Sequence, residues 1–95
     1  MLTLRPPVEF LWDKGNINKN YIKHKVSDWE CEEAFFDVDK KIFKNKIHSI
    51  DEKRYLIIGK TKKRRMLFIV FTIRKKKIRV ISARDVNKKE IKLYE

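Results

Sequence analysis

Several things are scarce in this 95-residue chain: it has one cysteine, two glycines, two prolines, and thirteen acidic residues against twenty-five basic ones. Cys31 alone excludes an intramolecular disulfide and points to a reducing, cytoplasmic setting. Glycine-rich loops of the kind that cradle phosphates are missing, which disfavours nucleotide hydrolysis. Cys31, His24 and His48 have no zinc-like spacing and the acids show no paired pattern, so no metal or other cofactor is expected. The longest apolar run, Met66 to Phe71, falls far short of the roughly 20 residues a bilayer crossing needs. Near the start, Arg5, Pro6 and Pro7 interrupt any signal-peptide core. The expectation is a soluble protein without membrane contact.

What is present is positive charge, unevenly placed. Residues 49–95 carry sixteen Lys or Arg against five acids, whereas residues 1–48 carry nine against eight. The basic residues of the second half alternate with apolar runs, as in RRMLFIVFTIRKKKIRVISARD. A folded basic sheet of this kind projects a positive field onto an anionic partner, with RNA or DNA the first candidate. The 42% apolar fraction argues against disorder, and the length suits one domain spanning residues 1–95.

Phe10, Leu11 and Trp12 read as a short strand that ends at Asp13, a candidate helix cap. Asn16, Ile17, Asn20, Tyr21 and His24 then share one helical face, an inward stripe that is half polar. Ser27-Asp28-Trp29-Glu30 is a capping box, and Cys31, Ala34 and Phe35 give the second helix a narrow apolar stripe. Ile42 and Phe43 suggest a short strand. Tyr55–Gly59, Met66–Ile73 and Ile78–Ala83 read as three strands of an antiparallel meander, with the middle one apolar on both faces. Asn87 with Glu90 starts a last helix on which Ile91 and Tyr94 share a side. The result is an α+β domain with two N-terminal helices, a sheet of three to four strands and a C-terminal helix.

Particular residues carry a family resemblance: Trp12-Asp13, Asn16, Asn20, Lys23-His24, Val26, Glu33-Ala34, His48-Ser49, Arg54, Gly59, the segment Arg79 to Arg84, Glu90 and Tyr94. From about residue 10 onward the chain resembles the BrnT family of type II toxin components, small proteins with a RelE-like fold. Lys25 stands where that family commonly has Gly. The resemblance implies a metal-independent endoribonuclease that arrests translation. It also implies a BrnA-like antitoxin that neutralises the toxin in a hetero-oligomer and, together with it, represses their shared promoter DNA.

Cleaving RNA without metal calls for a base at the 2′-hydroxyl, cations for the phosphorane and an acid for the leaving oxygen. Arg84 is the strongest cation, at the end of the last strand and just before the helix start near Asn87. Glu90 and Tyr94, four apart, can face the same space. An Arg84–Glu90 structural pair and a Tyr94 that closes the core are the plain alternatives. Arg54 and Arg79 belong to one end of the meander; Arg84 and the run Lys60 to Arg65 belong to the other, roughly 26 Å away at roughly 3.3 Å per residue. The resemblance adds His24 to the catalytic candidates. Lys23, Lys62, Lys63, Arg64 and Arg65 are the candidate RNA contacts, and solvated loops are the ordinary reading of such runs. Trp29, Phe36 and Phe43 can stack on bases but are expected in the core. The competing function is a non-catalytic basic nucleic-acid-binding module, and a structural partner subunit is a third.

Overall fold

The computed structural model describes Leu4, residues 8–45 and residues 52–95. His48-Ser49 and the Arg5-Pro6-Pro7 interruption lie outside the described residues. Seven elements follow in order: α1 Lys19–His24, α2 Asp28–Phe35, β1 Lys41–Asn45, β2 Arg54–Lys60, β3 Met66–Arg74, β4 Lys77–Asp85 and α3 Lys88–Tyr94. The strands make one antiparallel sheet in the order β1-β2-β3-β4. The α+β order with two leading helices and a closing one is therefore observed. Between β3 and β4 the turn is Lys75-Lys76, both with positive φ. That is the twist a two-residue hairpin loop demands, here met without glycine.

Helix α2 lies on one face of the sheet, against β2 and β3, while α1 lies along β4. Ile57, Leu67, Ile69, Phe71, Val80 and Ala83 meet Val26, Cys31, Ala34 and Phe35 there in one buried cluster. Phe35 lies edge-on to Phe71 at 4.9 Å and to Phe10 at 5.4 Å. Burying such a ring contributes about 1.5–3 kcal/mol. Gly59 lets α2 come this close, since a Cβ there would collide with the Ala34 carbonyl. The expected capping box holds the helix start: Ser27 Oγ accepts from the Glu30 N–H at 3.2 Å, and Glu30 Oε1 accepts from the Ser27 N–H at 3.0 Å. Burial pushes the Cys31 thiol up to about 12, so it stays protonated and unreactive.

The opposite face is only half covered. From Met66 to Phe71, β3 alternates half-buried with buried residues. The strand read as apolar on both faces thus has one sealed face and one partly open face. Helix α3 packs against β2, and Ile58 is fully buried while standing outside the main core cluster.

The half-polar stripe of α1 has a structural reason. Strand β4 is an edge strand, and exposed edges invite unwanted pairing. Here its outer backbone groups are taken in turn. Ile78 N–H donates to Glu9 O and Ile78 O accepts from Leu11 N–H, both at 2.8 Å. Asn16 Nδ2 donates to Val80 O at 3.1 Å, and Asn20 Oδ1 accepts from Ala83 N–H at 2.9 Å. Only these two asparagines are buried on the expected stripe. Ile17 (54% exposed), Tyr21 (46%) and His24 face solvent. Asp13 does not cap α1 either. Its carbonyl accepts from the Asn16 and Ile17 N–H groups in a turn, and the helix starts at Lys19 behind Asn18. The expected strand at Phe10–Trp12 reduces to one parallel bridge, Phe10 to Ile78.

Candidate active site on the half-covered sheet face

Strand register brings the three candidate arginines to one face. Arg54, Thr72 and Arg79 form one cross-strand row, and Ile58, Phe68 and Arg84 form another. Opposed residues share a face, and the rows are four residues apart on β2 and β3. That makes about 13 Å at about 3.3 Å per residue. The expected separation of roughly 26 Å is corrected, because only four register steps on β3 lie between the partners of Arg79 (Thr72) and Arg84 (Phe68). Arg79 and Arg84 are five apart, an odd spacing that a regular strand would send to opposite faces. The register shift at Val70/Phe71 adds a residue to β4 and returns both to the same side.

Arg84 makes a bidentate pair with Glu90, Nη1 to Oε1 and Nη2 to Oε2, both at 2.8 Å. Its guanidinium lies 4.2 Å from the Phe68 ring centroid. Nη1 also donates to Asp85 O at 3.1 Å. Of five N–H donors, Nε–H and one on Nη2 remain unengaged by described residues. The Arg84 side chain keeps 39% of its surface exposed and Glu90 keeps 13%. Hydrogen bonding to Arg84 holds the Glu90 carboxyl below its ordinary range, with burial working against it. The carboxylate is thus charged at neutral pH and shares its site with a cation that has donors to spare.

Glu90 also closes the capping box of α3. Its Oε1 accepts from the Asn87 N–H, while Asn87 Oδ1 accepts from the Glu90 N–H, both at 2.9 Å. One turn on, the Tyr94 hydroxyl donates to Asp37 Oδ2 at 2.7 Å, and Lys60 Nζ lies 5.2 Å from the Tyr94 ring centroid. Tyr94 does not enter the main core. Burial, then the neighbouring Asp37, raises its hydroxyl pKa, so it remains a phenol at neutral pH. Arg79 is mostly buried and donates to Asp13 Oδ2 at 2.6 Å. That bond, chiefly, lowers the Asp13 pKa. Arg54 opens β2 in the same row.

The remaining candidates lie elsewhere. His24 and Lys23 are exposed at the end of α1, on the helix side. Lys62, Lys63 and Arg64 are exposed in the turn from β2 to β3. Arg65 is a clamp. Its Nε and Nη2 hold Asp85 at 2.6 and 3.0 Å, and Nη1 reaches Lys25 O at 2.7 Å and Glu30 at 3.3 Å. Nη2 also reaches His24 O at 3.3 Å. Asp13, Asp37 and Phe68, which position Arg79, Tyr94 and Arg84, were not singled out from sequence for these contacts. Only Asp13, beside Trp12 in the resemblance, carried any signal.

Among the described residues no group of three His, Cys, Asp or Glu side chains can hold a metal ion. No helix among them is long and apolar enough to cross a membrane. The family model described as the ribonuclease toxin BrnT of type II toxin–antitoxin systems matches residues 12–90. No curated protein matches the chain.

Proposed function

Since this chain belongs to the BrnT family of ribonuclease toxins of type II toxin–antitoxin systems, a class neutralised by an antitoxin protein, we propose that it is a metal-independent endoribonuclease of RelE-like fold. In this reading residues 1–95 form one toxin domain that acts on cytoplasmic RNA and stops translation. Its partner is a BrnA-like antitoxin, and promoter DNA is met only as the toxin–antitoxin complex. The observation that carries the catalytic part is the Arg84–Glu90 pair on an open, cation-bearing sheet face.

The chemistry follows from that pair. A scissile phosphate meets the free Nε–H and Nη2–H of Arg84, whose planar fork suits phosphoryl oxygens. The Glu90 carboxylate takes the 2′-hydroxyl proton, and the new alkoxide attacks the phosphorus. Charge gathers on the equatorial oxygens as the Glu90 carboxylate is protonated. Arg84 therefore binds the transition state more tightly than the ground state. The leaving 5′-oxygen receives its proton from the same carboxyl group or from water. The products are a 2′,3′-cyclic phosphate and a free 5′-hydroxyl. Arg54 and Arg79 bind backbone about 13 Å along the same face. Tyr94 fixes the end of α3 through Asp37, and Lys62, Lys63 and Arg64 guide the strand electrostatically. His24 takes no step here.

Incubating the purified protein with RNA in EDTA tests this. Cleavage that persists and leaves cyclic phosphate ends is expected. Cleavage that vanishes in EDTA and returns with magnesium overturns the metal-independent route. Binding without any product favours the non-catalytic module.

A further inference from the structure

The twelve residues from Asp28 to Asp39 hold six of the thirteen acids and no lysine or arginine, on a chain of net charge +12. Phe35 of this segment is buried, but Trp29 (66% exposed) and Phe36 (62%) are not in the core, contrary to expectation, and the neighbouring Val38 is 91% exposed. Between this segment and the turn from β2 to β3 lies an open cavity of about 780 Å³. Trp29, Glu32, Glu33, Phe36, Asp37 and Asp39 line one wall. Lys60, Lys62 and Arg64 stand on the other, with Tyr94 between.

Three of the carboxylates are fixed by uncharged donors. Glu32 accepts from the Trp12 indole at 2.7 Å, Glu33 from the Lys62 N–H at 3.1 Å, and Asp37 from the Tyr94 hydroxyl at 2.7 Å. Such bonds hold them in place without cancelling their charge. The side chain of Asp39 has no hydrogen-bond partner among the described residues, and Lys60 is drawn over the Tyr94 ring. The wall is therefore preset, acidic and aromatic.

We propose that this cavity docks a basic, amphipathic protein segment supplied by the antitoxin chain. Trp29 and Phe36 take its apolar side chains, while Asp37, Asp39 and Glu33 face its lysines or arginines. That the segment belongs to the antitoxin rests on the toxin reading; its chemistry rests on the wall alone. Charge complementarity with the acidic wall selects it, its uncharged side turns to Lys60, Lys62 and Arg64 opposite, and the surplus of positive charge on the rest of the chain repels it from other surfaces. RNA fits this wall poorly, because four carboxylates and no cation stand on it.

The test follows tryptophan emission, with Trp29→Phe run in parallel to separate Trp29 from Trp12, while intact protein is titrated with three probes: a short Lys/Leu amphipathic peptide, its Glu/Leu counterpart and a short oligouridine. The Lys/Leu peptide is expected to blue-shift the emission, and its affinity to fall by roughly tenfold in Asp39→Lys. Trp29→Phe, read with a labelled peptide, should weaken binding while leaving the melting temperature unchanged. The other two probes should leave Trp29 unaffected. Lys/Leu binding that is absent, or equal in wild type and both variants, overturns the site. An oligouridine that alone shifts Trp29 replaces it with a base-stacking subsite. RNA cleavage is assayed on the same samples. Cleavage without peptide binding refutes the docking site only, and peptide binding without cleavage refutes the catalytic reading only.

Discussion

Helices α2 and α3 both begin with a capping box whose third residue is a glutamate, and in both that glutamate also meets an arginine near a strand end. Glu30 meets Arg65, and Glu90 meets Arg84. The consequences diverge. Arg65 is shared among Asp85, Glu30 and two carbonyls, behind a helix that buries Cys31, Ala34 and Phe35. Arg84 gives its fork to Glu90 and one N–H to the Asp85 carbonyl, beside a helix with no buried residue of its own. Apolar burial fixes α2, so its arginine is one fastening among several. Polar contacts hold α3, so its arginine remains available to a phosphate. On the proposed reading, one local motif serves a structural post and a chemical one, and burial behind the helix decides which.

The sharpest way to break the comparison is to exchange the arginines' fates. Arg84→Ala should cost on the order of 10²-fold or more in RNA cleavage with little change in melting temperature. Arg84→Lys should rescue poorly, for want of a planar fork. Arg65→Ala should do the reverse. It strands Asp85 and two carbonyls, costs roughly 1–3 kcal/mol of stability, and leaves the activity of the folded fraction intact. Steady-state cleavage and thermal melts on the same preparations separate the two patterns. A large activity loss from Arg65→Ala at full folding would sink the division of labour.

Next come the caps themselves. Ser27→Ala should lower global stability by about 1 kcal/mol. Asn87→Ala should instead raise amide exchange in Lys88–Tyr94 while moving the global melt less, because no residue of α3 is itself buried. Equal global effects would show that α3 is part of the cooperative core.

Acid titration sharpens the same contrast. The carboxyl pKa values of Glu30 and Glu90 are both lowered in the folded chain: burial opposes the shift at Glu30 and Ser27 and Arg65 drive it, while at Glu90 Arg84 drives it first. Such groups contribute stability above their ordinary value of 4.5, and the contribution is lost as pH falls through the folded value. Below pH 4.5, α3 should lose exchange protection before α2, whose buried side chains do not titrate. The smallest effect is expected at Lys25, the left-handed residue after α1 (φ 58) whose carbonyl takes Arg65. Lys25→Gly should raise stability by at most about 1 kcal/mol in a denaturant melt, by relieving the Cβ penalty there.

Much of the fold was legible in the sequence because it is written locally. Both capping boxes, the three long strands and their short charged turns depend on neighbours within a few residues. What failed depends on distant partners. His24 was placed on the inward stripe by periodicity, yet the helix under it has six residues and buries only Asn20. Trp29 and Phe36 were expected inside on apolar character, but the α2 face that reaches the sheet is set by Gly59 and Ala34. Arg79 and Arg84 share a face only through a register shift, and no period in the sequence announces an inserted residue. Arg65 looked like one more cation in a basic run. Its partners are 20 to 41 positions away.

The asparagine amides along β4 have a further consequence, for assembly. With Asn16 and Asn20 occupying that border beside Glu9 and Leu11, the sheet border left for a foreign strand among the described residues is the β1 side. A building block with a single usable border can join one other and then stop. Growth into a filament needs two complementary borders on every copy. Two buried side-chain amides therefore turn a potentially endless ribbon into, at most, a closed couple, and the polar stripe that weakens α1 as a helix acts as a terminator for the sheet.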